Sequence, residues 1–186
     1  MRAVMVEVPT ELLEQRRRTG VDRWDEMWDG VLHMVPSPSA RHQAFGMELA
    51  LVLAPLAKSR GLVPFYETGL FGTDNDYRVP DQMYTHRERV ADRGVEGAAG
   101  LVVEILSPGD ESYDKLDWYA RVGVAEILVV DPDTRAVERF AGRAGRAVVV
   151  QPAADGTLRL ASLAATLQTT DPPRLQITWE TGSAAI

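Results

Sequence analysis

The sequence contains no cysteine among its 186 residues, which excludes disulfide bonds, zinc fingers and thiol catalysis. It also has no apolar run near the roughly 18 residues of a membrane-spanning helix. The N-terminal residues carry scattered charges and no long apolar stretch, unlike a secretory signal. These absences predict a cytoplasmic protein without a membrane partner, and 45% hydrophobic residues suffice for a buried core.

Positive charge is also scarce, because the formal net charge is −7. This balance argues against a protein that coats nucleic acid, since non-specific affinity comes from basic side chains on phosphates. Local basic clusters occur at residues 16–18 and at Arg87, Arg89 and Arg93. They are equally well interpreted as solvated surface. An acidic nuclease remains compatible with the composition, because carboxylates belong at the centre of such a site.

Lysine is the rarest basic residue: of the 20 lysines and arginines, only Lys58 and Lys115 are lysine. The two types serve equally at most surface positions. A lysine is needed where a compact ammonium must sit beside a reacting water, or where a guanidinium does not fit. Each lysine is therefore a candidate for a specific role.

Length and pattern predict one α/β domain over residues 1–186, with C-terminal strands at 134–180 as an extension. The predicted elements are a helix at 9–18, a hairpin at 24–28 and 31–35 around Asp29-Gly30, a serine-capped helix at 40–59, strands at 62–66 and 68–72, a turn at 73–76, an extended segment at 77–85, a strand at 100–106, a helix at 110–122, a strand at 125–131 and two further arginine-rich strands.

The helix at 110–122 joins two apolar strands. Such a connection usually forms a right-handed crossover in a partly parallel sheet. The sequence therefore predicts a mixed central sheet.

Glu104 interrupts the apolar strand at 100–106. A charged carboxylate in such a place costs several kcal/mol unless a metal or a cation compensates it. The alternative is an edge strand on which Glu104 points to water. The functional interpretation is a metal-ligating carboxylate.

Asp81 follows Pro80 in the extended segment at 77–85. Proline suits a strand start, an edge or a bulge, where it can aim the next carboxylate out of the sheet. A Pro-Asp pair alone is usually a turn. Adjacent strands can bring Asp81 and Glu104 around one Mg²⁺, which one or two carboxylates typically hold.

Lys115 lies in the first turns predicted for the helix that follows the Glu104 strand, and Tyr119 and Val122 share its stripe at i+4 and i+7. If the stripe faces the core, the Lys115 ammonium points toward Glu104. There it can orient an attacking water, help to deprotonate it or stabilise the transition state. The alternative is a solvent-facing lysine paired with Glu111.

Pro80-Asp81 followed by Glu104 on a strand resembles the PD-(D/E)-x-K nuclease superfamily. The chain is more closely similar to the Uma family of putative restriction endonucleases over about residues 8–140. The resemblance is carried by residues 26–30 (EMWDG), the proline-serine loop before His42, residues 103–108 (VEILSP), Asp114-Lys115, Tyr119, residues 123–126 (GVAE) and residues 129–132 (VVDP).

The resemblance implies a restriction-endonuclease-like core of helix, three strands, helix and strand, with a mixed sheet and added N- and C-terminal strands. Leu106 stands where the superfamily has a lysine two residues after the glutamate, which implies that Lys115 has taken over that role. Glu26 and His42 become candidates for the outer part of the site, with a structural histidine as the alternative.

The catalytic candidates are therefore Asp81, Glu104 and Lys115, with Asp81 and Glu104 as metal ligands. Glu26, His42 and Tyr119 are supporting candidates, and Gln82 is a candidate partner of a metal-bound water. The cofactor predicted is Mg²⁺ or Mn²⁺.

The leading functional hypothesis is a metal-dependent endonuclease that hydrolyses DNA phosphodiester bonds, working as a homodimer. The second is a catalytically silent nuclease-fold protein used for nucleic-acid binding or assembly. A third is a hydrolase for a smaller phosphoester. A basic groove beside the carboxylates favours DNA, a site without Lys115 favours the silent protein, and a narrow closed pocket favours the small substrate.

Overall fold

A computed structural model describes residues 3–109 and 111–186 of the chain. In these residues three α-helices accompany strands that form three sheets. The helices are α1 (Thr10–Thr19), α2 (Ala40–Ser59) and α3 (Leu116–Arg121), and two short 3-10 helices span Arg87–Arg89 and Ser112–Lys115. The strands are β1 (Ala3–Met5), β2 (Glu26–Trp28), β3 (Val31–Met34), β4 (Val63–Tyr66), β5 (Leu70–Thr73), β6 (Asp76–Arg78), β7 (Gln82–Thr85), β8 (Val90–Ala91), β9 (Gly94–Glu96), β10 (Leu101–Ile105), β11 (Glu126–Val130), β12 (Val137–Arg143), β13 (Arg146–Val150), β14 (Leu158–Leu160), β15 (Ala165–Thr170), β16 (Arg174–Trp179) and β17 (Gly182–Ala185).

The central sheet has the strand order β13-β12-β11-β10-β7-β4. Strands β10 and β11 are parallel, and the other neighbours in this sheet are antiparallel. Helix α3 lies between β10 and β11 in the chain, as expected for a parallel pair, whose connection must cross the sheet. The predicted mixed sheet and the order of helix, three strands, helix and strand are confirmed.

A second sheet, of order β1-β3-β2-β6-β5-β9-β8, contains the N-terminal strands. Its β2–β3 hairpin turns at Asp29 and Gly30, whose φ angles are 48° and 85°. Two successive positive φ angles match a two-residue turn that follows the twist of the strands. The hairpin predicted from Asp29-Gly30 is confirmed.

The extended segment predicted at 77–85 is divided between two sheets, with β6 in the second sheet and β7 in the central one. Residues 79–81 separate the two strands, and Pro80 has no N–H to donate to a ladder. This break falls inside the segment predicted as extended, and it places Asp81 immediately before β7.

Two apolar clusters cover the two faces of the central sheet. One contains Leu101, Val103 and Ile105 of β10, packed against α2 and the third sheet, of order β14-β15-β16-β17. The other contains Val102 of β10, packed against α3. Strand residues alternate between faces, so Glu104 shares the α3 face with Val102.

The helix predicted at 110–122 is shorter in the structure. Residue 110 lies outside the described residues, Ser112–Lys115 forms a 3-10 turn, and α3 begins at Leu116. Lys115 therefore precedes the α-helix. No helix among the described residues is long and apolar enough to cross a membrane.

Candidate active site

Glu104 lies near the end of β10 and is 3% exposed. Its Oε1 accepts hydrogen bonds from Lys115 Nζ, at 3.2 Å, and from the hydroxyl of Tyr119. Both donors come from the segment that covers this face of the sheet. The edge-strand alternative for Glu104 is wrong, because β10 lies between β11 and β7 and the side chain is buried.

Asp81 stands opposite Glu104 across the antiparallel pair. Val103 pairs with Gln82 in the last described step of the register, and one further step brings Glu104 level with Asp81. The Ile105 backbone N–H donates to Asp81 Oδ2 at 2.7 Å. The carboxylates of Asp81 and Glu104 therefore lie side by side at the end of the β7–β10 pairing.

The other oxygen of Asp81, Oδ1, is hydrogen-bonded to His42 Nε2 at 2.9 Å. The second ring nitrogen of His42, Nδ1, lies 3.0 Å from Ser107 Oγ. The histidine is buried in the first turn of α2. That helix begins as predicted, because Ser39 is its N-cap and accepts the His42 backbone N–H at 3.2 Å. Both ring nitrogens are occupied, so His42 orients the Asp81 carboxylate in this arrangement.

Lys115 is buried between two carboxylates. Its Nζ lies 2.9 Å from Glu26 Oε1 and 3.2 Å from Glu104 Oε1, and 8% of the side chain is exposed. The alternative of a solvent-facing lysine paired with Glu111 is wrong. Instead, Glu111 Oε2 lies 3.1 Å from His33 Nδ1.

Glu26, on β2, is 1% exposed. Besides Lys115, it accepts the backbone N–H of Val79 on Oε1 at 3.0 Å and Trp28 Nε1–H on Oε2 at 2.8 Å. The second sheet thus contributes one carboxylate to a site that otherwise belongs to the central sheet and its connections.

Burial and neighbouring charges give the carboxyl groups of Glu26 and Glu104 different ionisation states. Burial opposes ionisation of Glu26, but Lys115 and the two N–H donors outweigh it and lower the pKa of Glu26. Burial raises the pKa of Glu104 to about 8, against the attraction of Lys115 and with the repulsion of Asp81 and Glu26. Since Glu26 already balances the ammonium, Glu104 holds its proton near neutral pH when no cation is bound.

The two basic groups are shifted in the protonated direction. Burial disfavours the ammonium of Lys115, but the charges of Glu104 and Glu26 outweigh it and raise the pKa of Lys115. Burial likewise opposes protonation of His42, and the hydrogen bond and charge of Asp81 overcome it and raise the pKa of His42. Lys115 therefore stays positively charged.

These side chains open onto a cavity of about 390 Å³. Its described lining includes Glu26, His42, Asp81, Glu104 and Lys115, together with the proline-serine loop at residues 35–39. Lys115 is the only lysine or arginine among the described residues that line it. The basic clusters noted in the sequence do not line this cavity, and within the first cluster Arg16 pairs with Asp25 at 2.5 Å.

A family model described as Uma2, putative restriction endonuclease, matches residues 11–171. The chain belongs to the Uma2 family. This confirms the resemblance stated from the sequence and extends it beyond residue 140. A comparison with curated proteins finds no match.

Seven chains of solved structures match this Uma2 chain, among them the two described next. A crystal structure of a putative nuclease from Anabaena variabilis is 21% identical, covers 75% of this chain and 83% of its own, and has a TM-score of 0.60. It shows the same fold. A cryo-EM structure of the DrdV–DNA complex is 13% identical, covers 74% of this chain and 12% of its own, and has a TM-score of 0.38, too low to support an inference.

The donor set of this Uma2 site fits a hard divalent cation. No group of three His, Asp or Glu side chains among the described residues is arranged to hold a metal ion. Mg²⁺ nevertheless needs only one or two carboxylates, with water and substrate phosphate at its other positions. Both described hydrogen bonds of Glu104 use Oε1, which leaves Oε2 for another partner beside Asp81.

Two of the supporting candidates lie outside the cavity lining. Tyr119 is fully buried and reaches the site only through its hydrogen bond to Glu104. Gln82 is also buried; its Nε2 donates to the Gly46 carbonyl at 2.8 Å and its Oε1 accepts the Tyr84 hydroxyl at 2.6 Å. The structure therefore separates Gln82 from the carboxylates.

Glu67, Trp28 and Ser107 were not among the site residues expected from the sequence, although Trp28 and Ser107 lie within the segments EMWDG and VEILSP. Glu67 lines the cavity, has a positive φ of 45°, and donates its backbone N–H to the Asp81 carbonyl at 3.0 Å. A lone glutamate outside a periodic pattern carries no local signal. Ser107 lies two residues after the end of β10, so its place near the strand end was a possible clue.

Proposed function

We propose that this Uma2 protein is a divalent-metal-dependent endonuclease that hydrolyses DNA phosphodiester bonds. The observation that carries the proposal is the meeting of Asp81, Glu104 and Lys115 at one cavity in a chain of this family. Two carboxylates and one buried ammonium form the set of charges that phosphodiester hydrolysis uses.

Asp81 and Glu104 would hold the cation, Mg²⁺ or Mn²⁺. When bound, such a cation acts as a Lewis acid toward the phosphate and lowers the pKa of a water molecule. His42 and the Ile105 N–H fix the Asp81 carboxylate from both sides. Glu104 must lose its proton to become a ligand, and Tyr119 and Lys115 orient it through Oε1.

Lys115 would act as a fixed positive charge. Its raised pKa makes it a poor base, so it does not take a proton from the attacking water. Its ammonium instead stabilises the negative charge that builds up on the phosphoryl oxygens. This assigns to Lys115 the charge-stabilising role among those expected from the sequence.

The test is cleavage of supercoiled plasmid and single-stranded DNA with Mg²⁺ or Mn²⁺. Wild type should nick the plasmid, EDTA should abolish nicking, and Glu104→Gln and Lys115→Met should each reduce the rate by at least about 100-fold. Lys58→Met is the matched control, because Lys58 is the chain's other lysine and is exposed. It should cleave at the wild-type rate.

Circular dichroism and thermal unfolding would verify that each variant is folded. Metal-independent cleavage, or equal loss in the two lysine variants, would refute the proposed site. No cleavage by folded wild type with either metal would instead support the silent nuclease-fold protein.

One observation favours a second candidate, hydrolysis of a smaller phosphodiester. Lys115 is the only described arginine or lysine of the cavity lining, so the expected basic groove for a DNA backbone is missing at this position. Bis(p-nitrophenyl) phosphate should therefore be tested beside plasmid. Turnover of the small ester alone would favour this candidate over DNA.

A DNA substrate fits the cytoplasmic location expected from the sequence. Cutting both strands of a duplex requires two sites, so we propose that the protein works as a homodimer. Sedimentation with and without duplex DNA would measure the association state.

A further inference from the structure

A stack of four side chains lies behind the candidate site and takes no part in the proposed chemistry. The Arg78 guanidinium is held between two indoles, 4.4 Å from the Trp28 ring and 4.5 Å from the Trp118 ring. On its other face Trp28 stacks on His33, with ring centroids 4.1 Å apart and planes 13° from parallel. Arg78 is 3% exposed and also donates to the Met27 carbonyl at 2.7 Å. Stacking of a buried guanidinium between two aromatic rings restricts the rotation of those rings.

The stack fixes the orientation of Glu26. Trp28 Nε1–H donates to Glu26 Oε2, and the Val79 backbone N–H donates to Oε1. Each Glu26 oxygen therefore accepts a hydrogen bond, one from the indole of Trp28 and the other from the backbone of Val79. The carboxylate cannot rotate without leaving one of these part-buried donors unpaired, which is unfavourable.

Lys115 depends on that carboxylate for its place. Its side chain has four rotatable bonds and enters from the 3-10 turn Ser112–Lys115, not from strand β10. Glu26 Oε1 is its shorter contact, at 2.9 Å, while Glu104 Oε1 at 3.2 Å also serves Tyr119. Glu104 is, in addition, a proposed ligand of the cation, so Glu26 is the carboxylate that holds the ammonium without itself binding the metal.

We propose that Glu26 is a positioning residue, which Trp28 holds within the Arg78 stack and which fixes the Lys115 ammonium in the candidate active site. This inference rests on the proposed function of that site. It assigns to Glu26 no contact with the substrate.

The first test is a kinetic double-mutant cycle on plasmid cleavage with Glu26→Gln, Lys115→Met and the double variant. Glu26→Gln should reduce kcat by about tenfold or more, while KM and the half-saturating Mg²⁺ concentration change by less than about threefold. The double variant should be no slower than Lys115→Met, because Glu26 acts through the lysine. The inference would be overturned if the kcat losses of the two single variants multiplied in the double variant. It would also be overturned if Glu26→Gln changed kcat and the half-saturating Mg²⁺ concentration equally.

Two matched controls separate positioning from loss of structure. Glu88→Gln makes the same exchange at an exposed glutamate of the 3-10 helix Arg87–Arg89, and should keep the wild-type kcat. Trp28→Phe keeps an aromatic ring in the stack but removes the donor to Glu26, and should reduce kcat by about threefold or more. Trp179→Phe, in the C-terminal sheet, should leave kcat unchanged. A wild-type kcat in Trp28→Phe would remove the stack from the proposal.

The second test does not depend on cleavage. Because Lys58 and Lys115 are the chain's two lysines, selective ¹⁵N-lysine labelling gives an ammonium signal for each. The buried Lys115 ammonium should exchange slowly with water in wild type and in Glu88→Gln, and rapidly in Glu26→Gln. Slow exchange in Glu26→Gln would overturn the inference even for an active enzyme. An inactive wild type with these signals would refute the proposed function and leave the positioning supported.

Discussion

Glu126 offers a test of how the central sheet is joined to the loop between β14 and β15 of the third sheet. It lies at the start of β11 and its side chain is 6% exposed. Arg139 on β12 donates Nε–H to Glu126 Oε1 at 2.9 Å, and its Nη2 donates a second hydrogen bond to the same oxygen. The backbone N–H groups of Ala161 and Ser162 donate to its two oxygens at 3.1 and 2.6 Å. The perturbation is Glu126→Gln, which keeps the shape and removes the charge.

The expected destabilisation follows from these partners. A glutamine accepts through one oxygen only, so its NH₂ group faces a donor and at least one buried N–H loses its acceptor. A hydrogen bond to a charged group contributes about 1.5–3 kcal/mol, and removing one partner of a buried ion pair costs about 3–5 kcal/mol. We expect Glu126→Gln to lower the free energy of unfolding by about 3 kcal/mol at pH 7.

The effect should depend on pH with a defined sign. Burial alone would raise the pKa of Glu126, but its hydrogen bonds from Ser162, Ala161 and Arg139 lower it below the usual 4.5. The carboxylate's stabilisation is therefore fully present above pH 4.5 and is lost as the pH falls through the lower folded-state pKa. The difference between wild type and Glu126→Gln should shrink over that interval.

The assay is urea unfolding followed by tryptophan fluorescence at pH 7.0, 5.5, 4.5 and 3.5, with Glu88→Gln as the exposed control. Other carboxylates titrate in both proteins and largely cancel in the difference. A stability difference below about 0.5 kcal/mol at pH 7, or one that stays constant down to pH 3.5, would contradict the predicted contribution of the Glu126 carboxylate.

Two further outcomes are expected. In Gly142→Ala the added Cβ would meet the Val124 carbonyl oxygen at 2.1 Å, a backbone atom that cannot move aside, so urea unfolding should show a loss of about 3 kcal/mol. A loss below 1 kcal/mol would contradict this packing. Calorimetric titration should show that the affinity for Mn²⁺ falls about tenfold per pH unit below pH 8, because Mn²⁺ binding must displace the proton that burial retains on Glu104. Asp81→Asn should abolish Mn²⁺ binding. Equal affinity at pH 6.5 and 8.5 would contradict the assignment of Glu104 as a ligand.

The local elements could be predicted from the sequence because their signals are local. Asp29-Gly30 predicts its hairpin, Ser39 its helix start, and the apolar run at 100–106 a buried strand. The charged residue inside that run was the strongest clue to a site. Lys115 was indicated by the scarcity of lysine in the chain and by its helical spacing from Tyr119 and Val122.

The partners of these residues could not be predicted in the same way. Glu26 and Lys115 lie 89 residues apart in the chain, and nothing in either neighbourhood indicates that they form an ion pair at 2.9 Å. The division of residues 77–85 between two sheets was also missed, because a proline within an extended segment does not show which sheet each half joins. Contacts between distant segments depend on how whole sheets pack.

The sequence by itself determined the fold class, the family resemblance and the identity of the candidate carboxylates and lysine, since these rest on short patterns and residue chemistry. Only the tertiary structure decided their charge states and supports. The pKa of Glu104 near 8, the charged state of Lys115 and the fixed Glu26 all arise from burial and from neighbours that other strands supply. Electrostatic energies depend on distance and on exclusion of water, and both are properties of the folded chain.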